Sequence, residues 1–447
     1  MNSFARIISW NTYGEDICAC AAKISTTKGN AIEIFDESKE QIKNRNLIKK
    51  VLGSGHKSVL EHTVFTIAFC NVSAVVEEFF IEHRLASFTV KSRRYVNYSE
   101  LGYYIPPQLD GDSERIYREY MDALFGAYHV LVDMGIPKED ARFLLPYSFH
   151  SNFYCTLNGR ELAHIIHEAQ ESEPPKIPEI NSLLGQISSQ LADICPSLFS
   201  ELNWEDIEQN DAACPDEAGS DPTISFLEAP EIGGVELLQY PVHADEIIKG
   251  ALKILHPEAT EREESTETGK KACGRLLEQL VYTFQVSDIT LSGLTHLVRH
   301  RMQSIIVPDI REMPLNQYVL PSSVCAHPEA KKLYIQTVEK AAALRSRAMQ
   351  AQDLRQYGYY FALSGNLTTV MTSMNARELS EFIRLRSCNR AQWEIREVSI
   401  RLLKTLREIS PEIFNRVGPG CYSEGYCPEG KMTCGKMLET VSSFTPN

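Results

Sequence analysis

The segment Glu82-His83-Arg84-Leu85-Ala86-Ser87 recurs in altered form as Arg299-His300-Arg301-Met302-Gln303-Ser304, and both versions sit inside a long internal duplication. Glu61 and Glu278, His83 and His300, Arg94 and Arg311, and Asn158 and Asn375 are each 217 positions apart. No net insertion accumulates over that window. Further out the offset drifts slightly, with Ile194-Cys195-Pro196 answering Ile409-Ser410-Pro411. A period this long excludes a stacked solenoid, whose repeats run to about 20–50 residues. The 447 residues alone would suggest about three domains; the duplication sets two. The expected organisation is a first copy over 1–204, an acidic linker over 205–234, a second copy over 235–417 and a Cys/Gly-rich tail over 418–447. The linker rests on the polar run Asn210 to Pro222, which is poor in large apolar side chains. A second acidic stretch, Glu258 through Glu267, stands where the first copy has Lys28-Gly29-Asn30 and Glu33 to Glu40, and reads as a solvated loop or helix face.

The formal net charge of −14 argues against a general nucleic-acid binder, which shows as a basic domain. A small anion held by local arginines stays compatible. No apolar run reaches the roughly 18 residues of a membrane span, and none near the start is long enough for a signal peptide. Twelve cysteines without a compact framework fit a reducing compartment. The expectation is a cytoplasmic protein with neither membrane nor nucleic acid as partner.

In each copy an alternating segment precedes an amphipathic one: Thr63–Cys70 then Val72–Ser87, and Leu280–Val286 then Leu291–Ser304. The order read from this is strand, then helix. On a helix over 291–304, His296, Arg299, His300 and Gln303 would share one face, flanked by Leu294, Leu297, Val298 and Ile305. A buried basic face needs an anionic or hydrogen-bonding partner, and a phosphate matches arginine forks. Further on, Asn158-Gly159-Arg160-Glu161-Leu162 and Asn375-Ala376-Arg377-Glu378-Leu379 each open an apolar-periodic stretch, with Asn placed as a helix cap or as a ligand. The second copy continues through Leu385-Arg386 to Ala391-Gln392-Trp393-Glu394-Ile395-Arg396.

These elements together, Glu-His before a strand, Arg-His-Arg with a downstream Ser and Arg-Tyr, then Asn-x-Arg-x-Leu, Leu-Arg and Ala-Gln-x-Glu-Ile-Arg, resemble the flavin-dependent thymidylate synthase family, and the likeness covers nearly all of each copy. What the resemblance implies is an α+β fold, with a small, mostly antiparallel sheet packed with helices in each copy. It also implies FAD, with NADPH and methylenetetrahydrofolate as cosubstrates and dUMP as the nucleotide methylated. The flavin would carry the redox chemistry while the protein supplies positioning and electrostatics. Carried over residue by residue, His83, Arg84, Arg299, His300, Arg301, Asn158, Arg160, Asn375 and Arg377 would bind the cofactor. Ser92, Arg94, Arg142, His296, Arg299 and Arg386 would bind substrate. Arg386 and His62 would be catalytic.

Each copy departs from the pattern. The first keeps Glu61-His62, Ser92, Arg94, Tyr95 and Arg142, but Glu82 replaces the leading Arg of Arg-His-Arg, and the later helix lacks Leu-Arg and Ala-Gln-x-Glu-Ile-Arg. The second keeps Arg299-His300-Arg301, Arg386 and Gln392 to Arg396, but has Gln279 for His, Asp309 for Ser, Glu312 for Tyr and Tyr359 for Arg. In the family the residues resembling Arg299 and Arg386 come from one subunit and those resembling Ser92, Arg94 and Arg142 from neighbours. The resemblance thus implies a homodimer acting as a pseudo-tetramer, with one kind of composite site kept. In the other kind Glu82, Asp309 and Glu312 would repel a phosphate. Two alternatives stay open: a same-fold flavoenzyme acting on another pyrimidine nucleotide, since Phe79, His296, Thr89 and Val90 alter positions near the ligand, and a non-catalytic flavin- or nucleotide-binding protein. In the tail Cys421, Cys427 and Cys434 with a fourth ligand could hold zinc, but the spacing misses the usual Cys-x2-4-Cys pairs. The sequence assigns no metal.

Overall fold

The structure, a computed structural model, describes residues 2–39, 42–171, 177–199, 223–255 and 274–446. The Asn210 to Pro222 run and the acidic stretch from Glu258 to Glu267 lie outside the described residues. The chain divides into two compact units that differ from the two copies. Unit 1 comprises Met1–Val130, Leu145–Gly219 and Lys340–Ala362; unit 2 comprises Leu131–Leu144, Ser220–Glu339 and Leu363–Asn447. Each unit thus holds a segment from the other copy, and the division falls inside two long helices, Gly111–Asp133 and Pro328–Gln350. These helices are themselves 217 positions apart.

Unit 1 has a four-stranded antiparallel sheet. Its strands are β1 (Phe4–Trp10), β2 (Val64–Ser73), β3 (Ala86–Val90) and β4 (His150–Asn158), in the spatial order β1-β2-β4-β3. Unit 2 repeats it. There β5 (Ser225–Glu228) pairs in parallel with β9 (Gln317–Leu320), and β6 (Gly234–Gln239), β7 (Val281–Thr290), β8 (Gln303–Ile306) and β10 (Leu367–Asn375) form the order β6-β7-β10-β8. Strand alternation sets the buried faces: Phe65, Ile67 and Phe69 on β2 answer Tyr282, Phe284 and Val286 on β7. Both central strands break register at a bulge, where Asn71 (φ 52°) and Asp288 (φ 54°) take the left-handed conformation that short polar side chains tolerate. Beyond the bulge each strand turns at a cap. Ser73 accepts from Val76 N (3.3 Å) to start helix Ala74–Ile81, and Thr290 accepts from Gly293 N (2.8 Å) to start helix Leu291–Val298.

The helix expected over 291–304 is two elements. It stops at Val298 because Gln303 enters β8 opposite Met374, while its side-chain amide donates to Leu297 O (2.7 Å) and so satisfies a last-turn carbonyl. Of the four residues expected on one helical face only His296 lies on the helix; Arg299 and His300 follow its end, and Gln303 lies in β8. The first copy splits in the same way, Val72–Ser87 being the end of β2, helix Ala74–Ile81 and the start of β3. The first copy's counterpart of the acidic stretch includes a short helix, Ala31–Ser38, closed by an Asn30/Glu33 capping box.

Packing within each unit explains why the exchanged segments stay. In unit 1, Tyr120 Oη donates to Phe361 O (2.6 Å), Tyr147 N to Ala362 O (2.7 Å) and Tyr360 Oη to Glu179 Oε2 (2.9 Å). In unit 2, Gly365 N donates to Phe143 O (2.9 Å) and Trp393 Nε1 to Asp140 Oδ1 (2.8 Å). A Cβ on Gly365 would lie 2.8 Å from Phe143 Cβ, so this backbone approach requires glycine. Among the described residues no helix is long and apolar enough to cross a membrane.

Candidate functional site

Unit 2 concentrates the polar residues of the motif around His300, which is 6% exposed. Arg386, at the end of helix Ala376–Arg386, donates through Nε to His300 Nε2 (2.9 Å). An arginine N–H only donates, so Nε2 accepts and the ring proton sits on Nδ1, 3.1 Å from Glu378 Oε1. The imidazole is neutral, and burial, foremost among its influences, holds its pKa below the ordinary value. Phe382 packs against the ring with centroids 4.8 Å apart. This chain from Glu378 through His300 fixes the plane of the Arg386 guanidinium. Arg299 and Arg301 are exposed on either side of the buried imidazole. Burial of the whole basic face is therefore not what the structure shows: His300 is inside, His296 half-buried and both arginines outside.

A second buried centre is Glu394, 1% exposed. Its oxygens accept from Thr290 N and Thr290 Oγ1, both at 2.6 Å, tying the Gln392–Arg396 motif to the start of the helix that leads to His300. Burial raises its pKa, and the Thr290 hydrogen bonds and the nearby charge of Arg142 pull it back. Arg142, 3% exposed, belongs to the first copy but lies in this unit, carried there by the exchanged segment. Arg142, Arg299 and Arg386 are thus members of one compact unit.

The matching positions of unit 1 are filled otherwise. Tyr359 stands for Arg142, Ala169 for Arg386 and Glu82 for Arg299. With Ala169 at the position of Arg386, His83 meets other groups: its Nδ1 lies 2.9 Å from Phe79 O and its Nε2 3.5 Å from Glu168. Tyr359 is buried, with a hydroxyl that finds no hydrogen-bond partner among the described residues, and Glu179 takes the place of Glu394, accepting from Ser73 N, Ser3 Oγ and Tyr360 Oη.

Ser92 and Arg94 lie in unit 1, where the neutral Ser92 Oγ accepts from Arg94 N (3.2 Å). The same positions in unit 2 are Asp309 and Arg311. Asp309 accepts from Arg311 N, Nε and Nη2 and closes on its guanidinium as an ion pair. A phosphate would have to displace that carboxylate.

The other expected residues are placed as follows. Asn158 and Asn375 cap helices, each accepting from the N–H three residues on (Glu161 and Glu378, both 2.9 Å). Arg160 and Arg377 make surface ion pairs with Glu61 and Glu278. Arg84 and His62 are exposed, and Asn11 Nδ2 donates to the His62 carbonyl (3.4 Å). Sequence reasoning gave no role to Glu378 or Glu394. Glu378 sits three residues after a capping Asn, where a capping-box reading hides it, and Glu394 was inside the quoted motif without a partner to define its work. The donor set suits a flavin nucleotide, whose diphosphate carries the charge that the exposed guanidiniums of Arg299 and Arg301 would meet beside His300.

The chain matches the model of the family described as thymidylate synthase complementing protein over residues 6–197 and again over 236–412. Similar proteins include flavin-dependent thymidylate synthases from Geobacter sulfurreducens (34% identical over 177 residues, 38% of this chain and 74% of the relative) and Clostridium tetani (27% over 236 residues, 46% and 94%). Another from Saccharolobus solfataricus is 32% identical over 197 residues, covering 43% of this chain and 74% of the relative. A crystal structure of a UMP/dUMP methylase, PolB from Streptomyces cacaoi, bound with 5-Br dUMP aligns with 45% of this chain and 95% of its own, at 23% identity and a TM-score of 0.38.

Proposed function

Because the chain belongs to the thymidylate synthase complementing protein family, we propose that it is a flavin-dependent thymidylate synthase that methylates dUMP at C5. Methylenetetrahydrofolate gives the one-carbon unit and NADPH the reducing equivalents. The observation that carries the reading is the segment exchange, which puts Arg142 of the first copy in the unit that holds Arg299, His300 and Arg386 of the second. Arg142, Arg299 and Arg386 are collected in one unit, and the replacements Tyr359, Ala169 and Glu82 stand in the other, which also holds Arg94.

The roles follow from the chemistry of the side chains. Arg386, held by the neutral His300, presents a planar fork to the anionic nucleotide and favours negative charge developing on the uracil carbonyls. Arg142, with Ser92, Arg94, Arg299 and His296, completes the substrate contacts in the assembled protein, a homodimer that serves as a pseudo-tetramer. Arg299, His300, Arg301, Asn375 and Arg377, with His83, Arg84, Asn158 and Arg160, hold the cofactor; His62 acts at the reacting base. A bound flavin supplies the hydride that completes the methyl group. The described cysteines are free thiols, in keeping with a cytoplasmic location.

The test is an absorbance spectrum of the purified protein followed by nucleotide titration. The expected protein is yellow, and dUMP perturbs the flavin bands far more effectively than uridine. A colourless protein that takes up no FAD removes the enzymatic reading. A flavin that ignores dUMP but responds to another pyrimidine nucleotide moves the activity to that substrate.

A further inference from the structure

Four of the free thiols surround one small cavity in unit 2. Cys421, Cys427 and Cys434 come from the tail, and the fourth, Cys388, stands two residues beyond Arg386. The cavity has a volume of about 40 Å³, ample for an ion. Two of the thiols are already held as ligands are held. Arg390 N donates to Cys388 Sγ (3.5 Å) and the backbone N–H of Lys436 to Cys434, each from two residues on. Asn389 Nδ2 adds a third donor, 3.6 Å from Cys434 Sγ. Backbone and amide N–H groups aimed at sulfur orient thiolates and offset their charge; a thiol that merely fills apolar space needs none of them. Arg390 and Glu429 stand at the rim together with Arg384, which is paired with Glu381 and Glu424.

The tail is tied down around this cavity. Arg384 Nη1 donates to Glu424 Oε1 (3.0 Å), Asn389 Nδ2 to Thr440 Oγ1 (3.0 Å), and a Cβ on Gly420 would lie 2.8 Å from Pro428 Cγ. Among the described residues no group of three or more His, Cys, Asp or Glu side chains is already placed to hold a metal ion. The four thiols ring the cavity, and a tetrahedral ion with Zn–S of about 2.3 Å would draw them in.

We propose that Cys388, Cys421, Cys427 and Cys434 bind one zinc ion as a four-thiolate site that clasps the C-terminal tail to the end of the helix carrying Arg386. A closed four-ligand site has no open position for substrate, so its role is structural. It would steady the turn from Ser387 to Gln392, which joins Arg386 to Glu394.

The full chain, purified without chelator, should contain about one zinc by elemental analysis. Cobalt loaded in its place should show the intense visible bands of a tetrahedral thiolate site. Cys388→Ser should lose the metal as completely as Cys427→Ser, although it lies outside the tail. Should Cys388→Ser fail to fold, Cys427→His should keep zinc, since three thiolates and an imidazole still make a site. Absence of zinc together with absence of cobalt bands overturns the proposal, as do iron with inorganic sulfide in the place of zinc, or full zinc in folded Cys388→Ser. None of these readouts uses flavin or nucleotide, so the metal site and the proposed activity fail separately.

Discussion

Where unit 2 sets Arg142 within reach of Glu394, unit 1 sets Tyr359 among Tyr104, Tyr357 and Glu179; where unit 2 ties His300 to Arg386, unit 1 gives His83 a backbone carbonyl and Glu168 and has Ala169 in the arginine's place. The scaffold beneath is the same, down to the left-handed bulge residue and the capping hydroxyl that follows it. The comparison teaches that backbone and site diverged independently. Strand register and caps are demanded by burial and hydrogen bonding in both units, whereas the cations are needed only where an anion binds. The difference is not one-sided, because unit 1 has a buried ion pair of its own. Arg93 and Glu77, 5% and 1% exposed, face each other, and Ser151 donates to the same carboxylate; the matching positions in unit 2 are Ile310 and Leu294.

That pair gives the largest expected effect. Arg93→Ala leaves Glu77 buried without its counterion and should cost about 3–5 kcal/mol, read as a fall in urea midpoint. Arg93→Ile with Glu77→Leu, which copies unit 2, should recover most of it. A double variant as unstable as the single would show that the units are not interchangeable at this layer. Next comes Arg386→Ala. Loss of a charge-assisted contact worth about 1.5–3 kcal/mol should weaken dUMP binding roughly 10- to 150-fold, while Ala169→Arg in unit 1 should leave it unchanged. Improved binding in Ala169→Arg would place a working site where the comparison puts none.

Two neighbouring tyrosines sharpen the contrast further. Tyr360→Phe removes a hydrogen bond to Glu179 and should cost about 1 kcal/mol. Tyr359→Phe removes a buried hydroxyl that has no partner and should be neutral or slightly stabilising. Equal losses in denaturation would mean that the unit 1 aromatic cluster is more polar than its hydrogen bonds indicate. The smallest effect is one of pH. His300 has a lowered pKa in the folded state, so its contribution is complete above the unfolded value of about 6.5 and is lost as pH falls through the folded value. His300→Gln should flatten that acid limb of the stability profile. An unchanged limb would mean that other groups carry it.

The sequence made the duplication, the sheet class and the complementary losses legible, because a constant offset exposes each substitution against its twin. It did not reveal the exchange of Leu131–Leu144 for Lys340–Ala362. The two segments carry the same local pattern, and nothing in a helical period says on which partner a helix ends. The helix over 291–304 was overextended because Leu297, Val298 and Ile305 keep an apolar rhythm across the stop at Val298. The side-chain cap from Gln303, invisible to periodicity, is what breaks it. Cys388 was missed for a similar reason: it stands 33 positions before Cys421, and spacing rules look for neighbours along the chain.

Division of the cations between the units should leave one working nucleotide site for each chain. Calorimetric titration of the flavin-loaded protein with dUMP tests it most directly. About one dUMP should bind per chain, with binding lost in Arg142→Ala and lost equally in Arg386→Ala, although the two residues come from different copies. Two equivalent sites per chain, or one site that survives either substitution, would contradict it.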